Sequence, residues 1–140
     1  MILIDDRQGS ACLCPYISDS VLTNLTFGDA AFYGNGPGGE QVFIGVERKE
    51  INDLVQSILS MRLSGHQLPG LKESYDVIYL LVEGDWHVSS EGNIQIVRRN
   101  GRVDLSHGGK KYRAAMVWNY LNTMAVQHNV KMLYTRSIRE

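Results

Sequence analysis

The sequence predicts a single α/β domain on a mixed sheet, and three observations carry that expectation. Apolar runs of strand length recur along the chain, the longest from Val77 to Val82. Two segments, from Glu50 to Met61 and from Tyr112 to His128, change to the spacing of about 3.6 residues that marks an amphipathic helix. Asn100-Gly101 lies between two short β-like runs and signals a hairpin. Strands interleaved with two helices make an α/β or α+β domain.

The elements follow in order. Met1 to Ile4 is a short apolar strand that runs into "DDRQGS", where Gly9 and Ser10 read as a turn. Val21 to Phe27 is a second strand, and a third segment begins at Gly28-Asp29. The tract "GNGPGG", residues 34–39, is a flexible connection to the strand that starts at Gln41. From Glu50 the period changes, and Ile51, Leu54, Val55, Ile58 and Met61 line one helical face. A break at "SGHQLPG" and a turn of helix precede "DVIYLLVEG", whose apolar centre suits a strand covered on both faces. The hairpin comes next, with Arg98, Arg99 and Arg102 at its tip. Ala114, Val117, Leu121 and Met124 then mark the second helix, and "NVKMLYT" closes the sheet.

With 140 residues, 44% of them hydrophobic, and three prolines, the chain suffices for one domain, residues 1–140. It shows neither a secretory leader pattern nor an apolar run long enough for a bilayer, so no membrane partner is expected. The location expected is intracellular: cytoplasmic in a prokaryote or virus, nuclear in a eukaryote. Cys12 and Cys14 are a C-x-C pair without a second pair nearby, a poor match to zinc spacing, and read as reduced thiols. The four histidines are scattered without ligand spacing. The net charge of −1 gives no general attraction to nucleic acid. Clustering does, because Arg98, Arg99, Arg102, Lys110, Lys111 and Arg113 face a single acid, Asp104, within sixteen positions. Such a run alone also describes a solvated loop. Trp86 and Tyr112 flank it, and either pack in the core or stack on unpaired bases.

The chemistry concentrates in "QVFIGVERKEINDL", residues 41–54, where an apolar strand ends in Glu47, Arg48 and Lys49. Charged groups at a strand end next to the core need compensation. Alternation puts Gly45, Glu47 and Lys49 on one face and Arg48 on the other. If the segment starting at Gly28 pairs with this strand, Asp29 converges with Glu47, and Lys49 stands beside them. Two carboxylates at one point repel each other, which a hard cation such as Mg²⁺ relieves through oxygen ligands.

Gly28-Asp29, Glu47-Arg48-Lys49 and Asp53 together resemble the GD…ERK-x3-D signature of the XPF-type structure-specific endonucleases of the PD-(D/E)XK superfamily. Further blocks are similar in the same order: "IDDRQ" to V-D-x-R-E, "SILSMRLSGHQL" to S-I-x-x-x-R-x-x-x-Q, "YLLVEG" to L-I-E-G, and "VKMLYTRS" to a terminal V-x-x-x-x-T-x-S. Gln8 stands where the family has Glu. The segment of about 85–111 is longer than the family's connection.

The resemblance implies a restriction-endonuclease-like fold, a mixed central sheet flanked by helices, here with an inserted β-hairpin near residues 94–106. It implies a Mg²⁺- or Mn²⁺-dependent DNA endonuclease that cleaves branched or single/double-strand junction DNA by metal-activated water. The alternative is a catalytically silent nuclease-fold domain that binds DNA or a partner. Asp29, Glu47 and the Arg48 carbonyl become metal ligands, Lys49 the catalytic lysine, and Asp5, Arg7, Arg48 and Asp53 supporting residues. Arg62 and Gln67 face the DNA side by the same resemblance, and the basic composition of the insertion makes Arg98, Arg99, Arg102, Lys110, Lys111 and Arg113 the expected phosphate contacts. A homodimer, or a heterodimer with a related nuclease, is also implied. Outside that context Asp53 is an ordinary first-turn acid, Asp5 and Arg7 form a surface pair, and Glu47 and Lys49 form a same-face ion pair.

Overall fold

A six-stranded mixed sheet is the spine of the molecule, and the computed structural model describes it with the rest of residues 1–140. β1 (Ile2–Asp5) leads into α1 (Gln8–Ala11), a short helix in place of the expected turn. β2 (Ser20–Thr23), β3 (Ala30–Asn35) and β4 (Gln41–Glu50) follow, then α2 (Ile51–Leu59), a π-helical turn (Leu63–Gln67), α3 (Leu68–Ser74) and β5 (Val77–Glu83). An inserted unit of β6 (Trp86–Val88), β7 (Ile94–Arg98), β8 (Gly101–Asp104), β9 (Ser106–His107) and β10 (Lys110–Lys111) precedes α4 (Ala114–His128) and β11 (Lys131–Thr135).

The strand order is β11-β5-β4-β3-β1-β2, with β3 antiparallel to β1 and β4 and the other neighbours parallel. Glu47 pairs in register with Leu80 and Lys49 with Val82. Leu80 and Val82 belong to the core that α2, α3 and α4 close with Leu54, Val55, Leu71, Val117 and Leu121. Glu47 and Lys49 therefore lie on the helix-covered face, as strand alternation requires. Each fully buried Leu or Val there stabilises the fold by about 1.5–3 kcal/mol relative to leaving it exposed. No helix is long and apolar enough to cross a membrane.

Four local expectations change. The second strand stops at Thr23, because the backbone groups of Leu25 and Phe27 are bound by side chains instead of a neighbouring strand. The helix after β4 ends at Leu59, and Met61 leaves the apolar face, with φ 55° and 71% exposure. The last helix starts at Ala114 because Tyr112 and Arg113 are still extended, Arg113 bridging to Asn93. In the hairpin Arg98 pairs with Gly101, so the turn is Arg99-Asn100 and Gly101, at φ +117°, opens the return strand. β6, β7 and β8 form a separate small sheet, anchored through buried Ile94 and Leu105.

Gly45 of β4 is required by packing. The Tyr75 ring lies directly over it, where a Cβ would overlap ring carbons, and the Tyr75 hydroxyl donates to the Phe27 carbonyl at 2.6 Å. Tyr75 thereby ties the end of α3 to the segment that delivers Asp29. Gly45→Ala is expected to lower unfolding free energy by about 1–3 kcal/mol in urea titration, the cost of overpacking a filled site.

Candidate active site

Asp29 is fixed by its backbone and by both carboxylate oxygens. Gly28 takes φ +86°, and a Cβ on it would meet the Val46 carbonyl at 3.3 Å and the Tyr75 hydroxyl at 3.4 Å. That close approach lets the Asp29 N–H donate to Val46 O at 2.8 Å, just beyond the β3 to β4 ladder, while Asp29 O accepts from the Asp5 N–H at 3.0 Å. Its Oδ1 accepts from Ser10 Oγ at 2.5 Å and its Oδ2 from the Arg48 N–H at 2.7 Å.

Glu47 and Lys49 are 4% and 7% exposed, a depth at which charges need partners. Lys49 Nζ donates to Glu47 Oε1, and the same oxygen accepts from Gln67 Nε2 at 2.7 Å. Burial, and then the negative charge of Asp29, push the Glu47 carboxyl above its ordinary value, against the pull of Lys49 and Arg62. The predicted convergence of Asp29, Glu47 and Lys49 is therefore present.

Asp5 is fully buried; its carboxylate accepts from Arg7 Nε and, at 3.0 Å, from the Leu25 N–H. Arg7 also donates to the carbonyls of Leu25 and Gly28, both at 3.2 Å, so the pair braces the loop that carries Asp29. The hydrogen bond to Asp5 raises the Arg7 pKa. On the opposite face of β4, Arg48 makes a bidentate pair with Glu83 at 2.6 and 2.9 Å, which raises the Arg48 pKa.

These groups open on a cleft of about 390 Å³ lined by Arg7, Ser10, Asp29, Glu47, Lys49, Arg62, His66 and Gln67, among others. Arg62 and Gln67 line it, Arg62 just before the π-helical turn and Gln67 at its end. Asp53 does not line it and stands exposed on the first turn of α2, beside a shallow depression shared with Gln56 and Arg62. None of Arg98, Arg99, Arg102, Lys110, Lys111 and Arg113 lines the cleft. All six are exposed; Lys111 pairs with Asp104 at 2.7 Å and Arg113 donates to the Glu91 carbonyl, whereas Arg98, Arg99 and Arg102 make no ion pair. Tyr112 is buried, and Trp86 packs on Trp118 at 5.1 Å, so packing accounts for both.

Three participants carry no sequence signal strong enough to assign a role. Ser10 is hidden in a predicted turn, and Glu83 in an apolar strand whose partner is far away in sequence. His66, tilted against Phe27 at 5.8 Å, is one of the scattered histidines, although it adjoins Gln67.

The donor set suits a hard divalent cation. No group of three or more His, Cys, Asp or Glu is placed to hold a metal ion, so a cation here would meet the two carboxylates of Asp29 and Glu47 and would need its remaining ligands from backbone, water or other oxygens. Mg²⁺ is commonly held in that way. Burial, and then repulsion from Asp29, raise the Glu47 carboxyl, and a cation at this point would favour its charged form.

Without metal, a carboxyl whose folded pKa is raised contributes stability that is present below its unfolded value, near 4.5, and lost as pH rises through the folded value. In metal-free denaturant titrations, the stability of wild type relative to Glu47→Gln is therefore expected to fall as pH rises from 4.5 to neutrality.

Among curated proteins none matches the chain. Two solved structures of XPF from Aeropyrum pernix share its fold. The one in complex with DNA has a TM-score of 0.64 at 18% identity over 99% of this chain and 57% of that one. The other has a TM-score of 0.64 at 19% identity over 99% of this chain and 54% of that one. The chain thus spans a little over half the length of either. The sequence profile of the ERCC4 domain matches residues 11–140. With a restriction-endonuclease-like mixed sheet beneath that match, the chain belongs to the ERCC4 domain family and shares the fold of XPF.

Proposed function

We propose that this domain is a Mg²⁺- or Mn²⁺-dependent endodeoxyribonuclease that cleaves branched or single/double-strand junction DNA. The observation that carries the reading is the convergence of Asp29 and Glu47 beside Lys49 in an open cleft rimmed by Arg7, Arg62 and His66. The Aeropyrum pernix XPF structure in complex with DNA supports DNA as the ligand. Asp29, Glu47 and the Arg48 carbonyl would hold the cation, which would supply a Lewis acid and a lowered pKa for water. Lys49 either holds the attacking water or meets the charge that develops on the phosphate. Arg7 and Arg62 face the phosphate backbone, Asp5 orients Arg7, and Asp53 complements the dipole of the helix that follows β4. Attack in line leaves a 5′-phosphate and a 3′-hydroxyl. Work on DNA, together with the free thiols of Cys12 and Cys14, suits an intracellular location.

A second protomer, identical or related, would pair through α4 and the sheet edge at β11. The fifteen residues of α4 include no Asp, Glu, Lys or Arg, and Trp118 and Val126 on it are exposed, as are Leu133 and Tyr134 of β11. Charge depletion with exposed aromatic residues is the composition of an interface core.

Fork, flap and four-way DNA with Mg²⁺ or Mn²⁺ are expected to be cut by wild type, and at least about a hundredfold more slowly by Glu47→Ala and Lys49→Ala. Binding without cleavage by wild type would instead identify a silent nuclease fold. The hairpin arginines have no ion-pair partners, and we assign them to phosphates outside the cleft. Replacing Arg98, Arg99 and Arg102 with Ala is expected to flatten the slope of log affinity against log salt by about 0.9 for each duplex phosphate left unneutralised. An unchanged slope would reject that role.

A further inference from the structure

Three local costs meet at Gln67. The backbone between α2 and α3 places Met61, a residue with a Cβ, at φ 55°, in the left-handed region that such residues rarely adopt. Leu63–Gln67 then forms a π-helical turn, a rare geometry that tends to occur at functional sites. At its end the Gln67 carboxamide points its nitrogen at Glu47 Oε1, at 2.7 Å, and leaves its own carbonyl oxygen buried without a hydrogen-bond partner. A buried carbonyl without a donor is unfavourable, and native structures leave few of them. The amide is held this way round because only its N–H groups can face a carboxylate.

We propose that Gln67 is a positioning residue for Glu47. Lys49 and Gln67 both donate to Oε1, so the carboxylate is gripped by one oxygen, and no protein donor engages Oε2. When Lys49 turns towards a phosphate or an attacking water, Gln67 alone keeps Glu47 in place. The DNA-facing role that the family resemblance gives to Gln67 is a different one, because a DNA-binding group acts on substrate affinity and a positioning residue on the carboxylate. The inference rests on the proposed cation site at Asp29 and Glu47, and its test separates the two.

The test uses Gln67→Met, which keeps an unbranched side chain of similar length, and Gln67→Asn, which keeps the amide and shortens its reach. Mn²⁺ affinity is measured without DNA by titration calorimetry, and kcat and KM are measured on a fork substrate. Loss of an outer partner of a metal ligand weakens metal binding by about tenfold or more. Both variants are expected to show that loss and a comparable fall in kcat, with the KM for DNA changed by less than about twofold. A raised KM with unaltered kcat and Mn²⁺ affinity would overturn the inference and make Gln67 a DNA-binding group. Unaltered values throughout, or no Mn²⁺ binding by wild type, would also overturn it. Weakened Mn²⁺ binding in the variants of a chain that cleaves no DNA would uphold the positioning role while the nuclease reading fell.

Discussion

Two carboxylates cannot be brought together beneath a layer of helices unless positive charge and hydrogen-bond donors come with them. That constraint organises this molecule. Asp29 is satisfied by a hydroxyl and a backbone N–H, Glu47 by an ammonium and a carboxamide, and Asp5 by a guanidinium and a backbone N–H. Those donors come from the link between β1 and α1, from α1, the loop before β3, β4 and the turn before α3. The site is therefore a product of the tertiary fold, although its charged members lie close together in sequence.

The scaffold answers the same constraint mechanically. β4 is held on one side by the antiparallel β3 and on the other by the parallel β5. The bidentate Arg48 to Glu83 pair joins β4 to β5 behind the charged face, and Tyr75 braces the front across Gly45. A strand held from both edges and both faces fixes where Glu47 stands relative to Asp29.

Much of this is legible in the sequence because it depends on period. Alternation along β4 puts Glu47 and Lys49 on one face, and the change to helical spacing locates α2 and α4. The ordered blocks add Asp29 at long range, which spacing alone leaves conditional on strand pairing. What escapes depends on three-dimensional accidents of close approach. Ser10 reaches Asp29 only because α1 forms in place of a turn. Met61 fits the helical pattern yet lies outside the helix, since α2 stops two residues earlier. The Asn-Gly pair marks the hairpin, but the turn falls one residue before that pair, with glycine's positive φ used at the strand entrance. The break expected at "SGHQLPG" is a π-helical turn, and no periodicity argument separates the two.

The alternation of β4 also limits how the chain can evolve. Deleting or adding one residue between Gly45 and Glu47 would turn Arg48 inward and both cleft-facing charges outward, so this stretch is fixed in length as well as in its key residues. The insertion between β5 and α4 is under no such rule. Within it the bridge between Asn93 and Arg113 closes off the segment that carries the basic hairpin, so that hairpin can lengthen, shorten or change sign while β4 stays in place. The charged cleft and the reach of the hairpin can thus diverge separately, one locked to a count of residues and the other free of it.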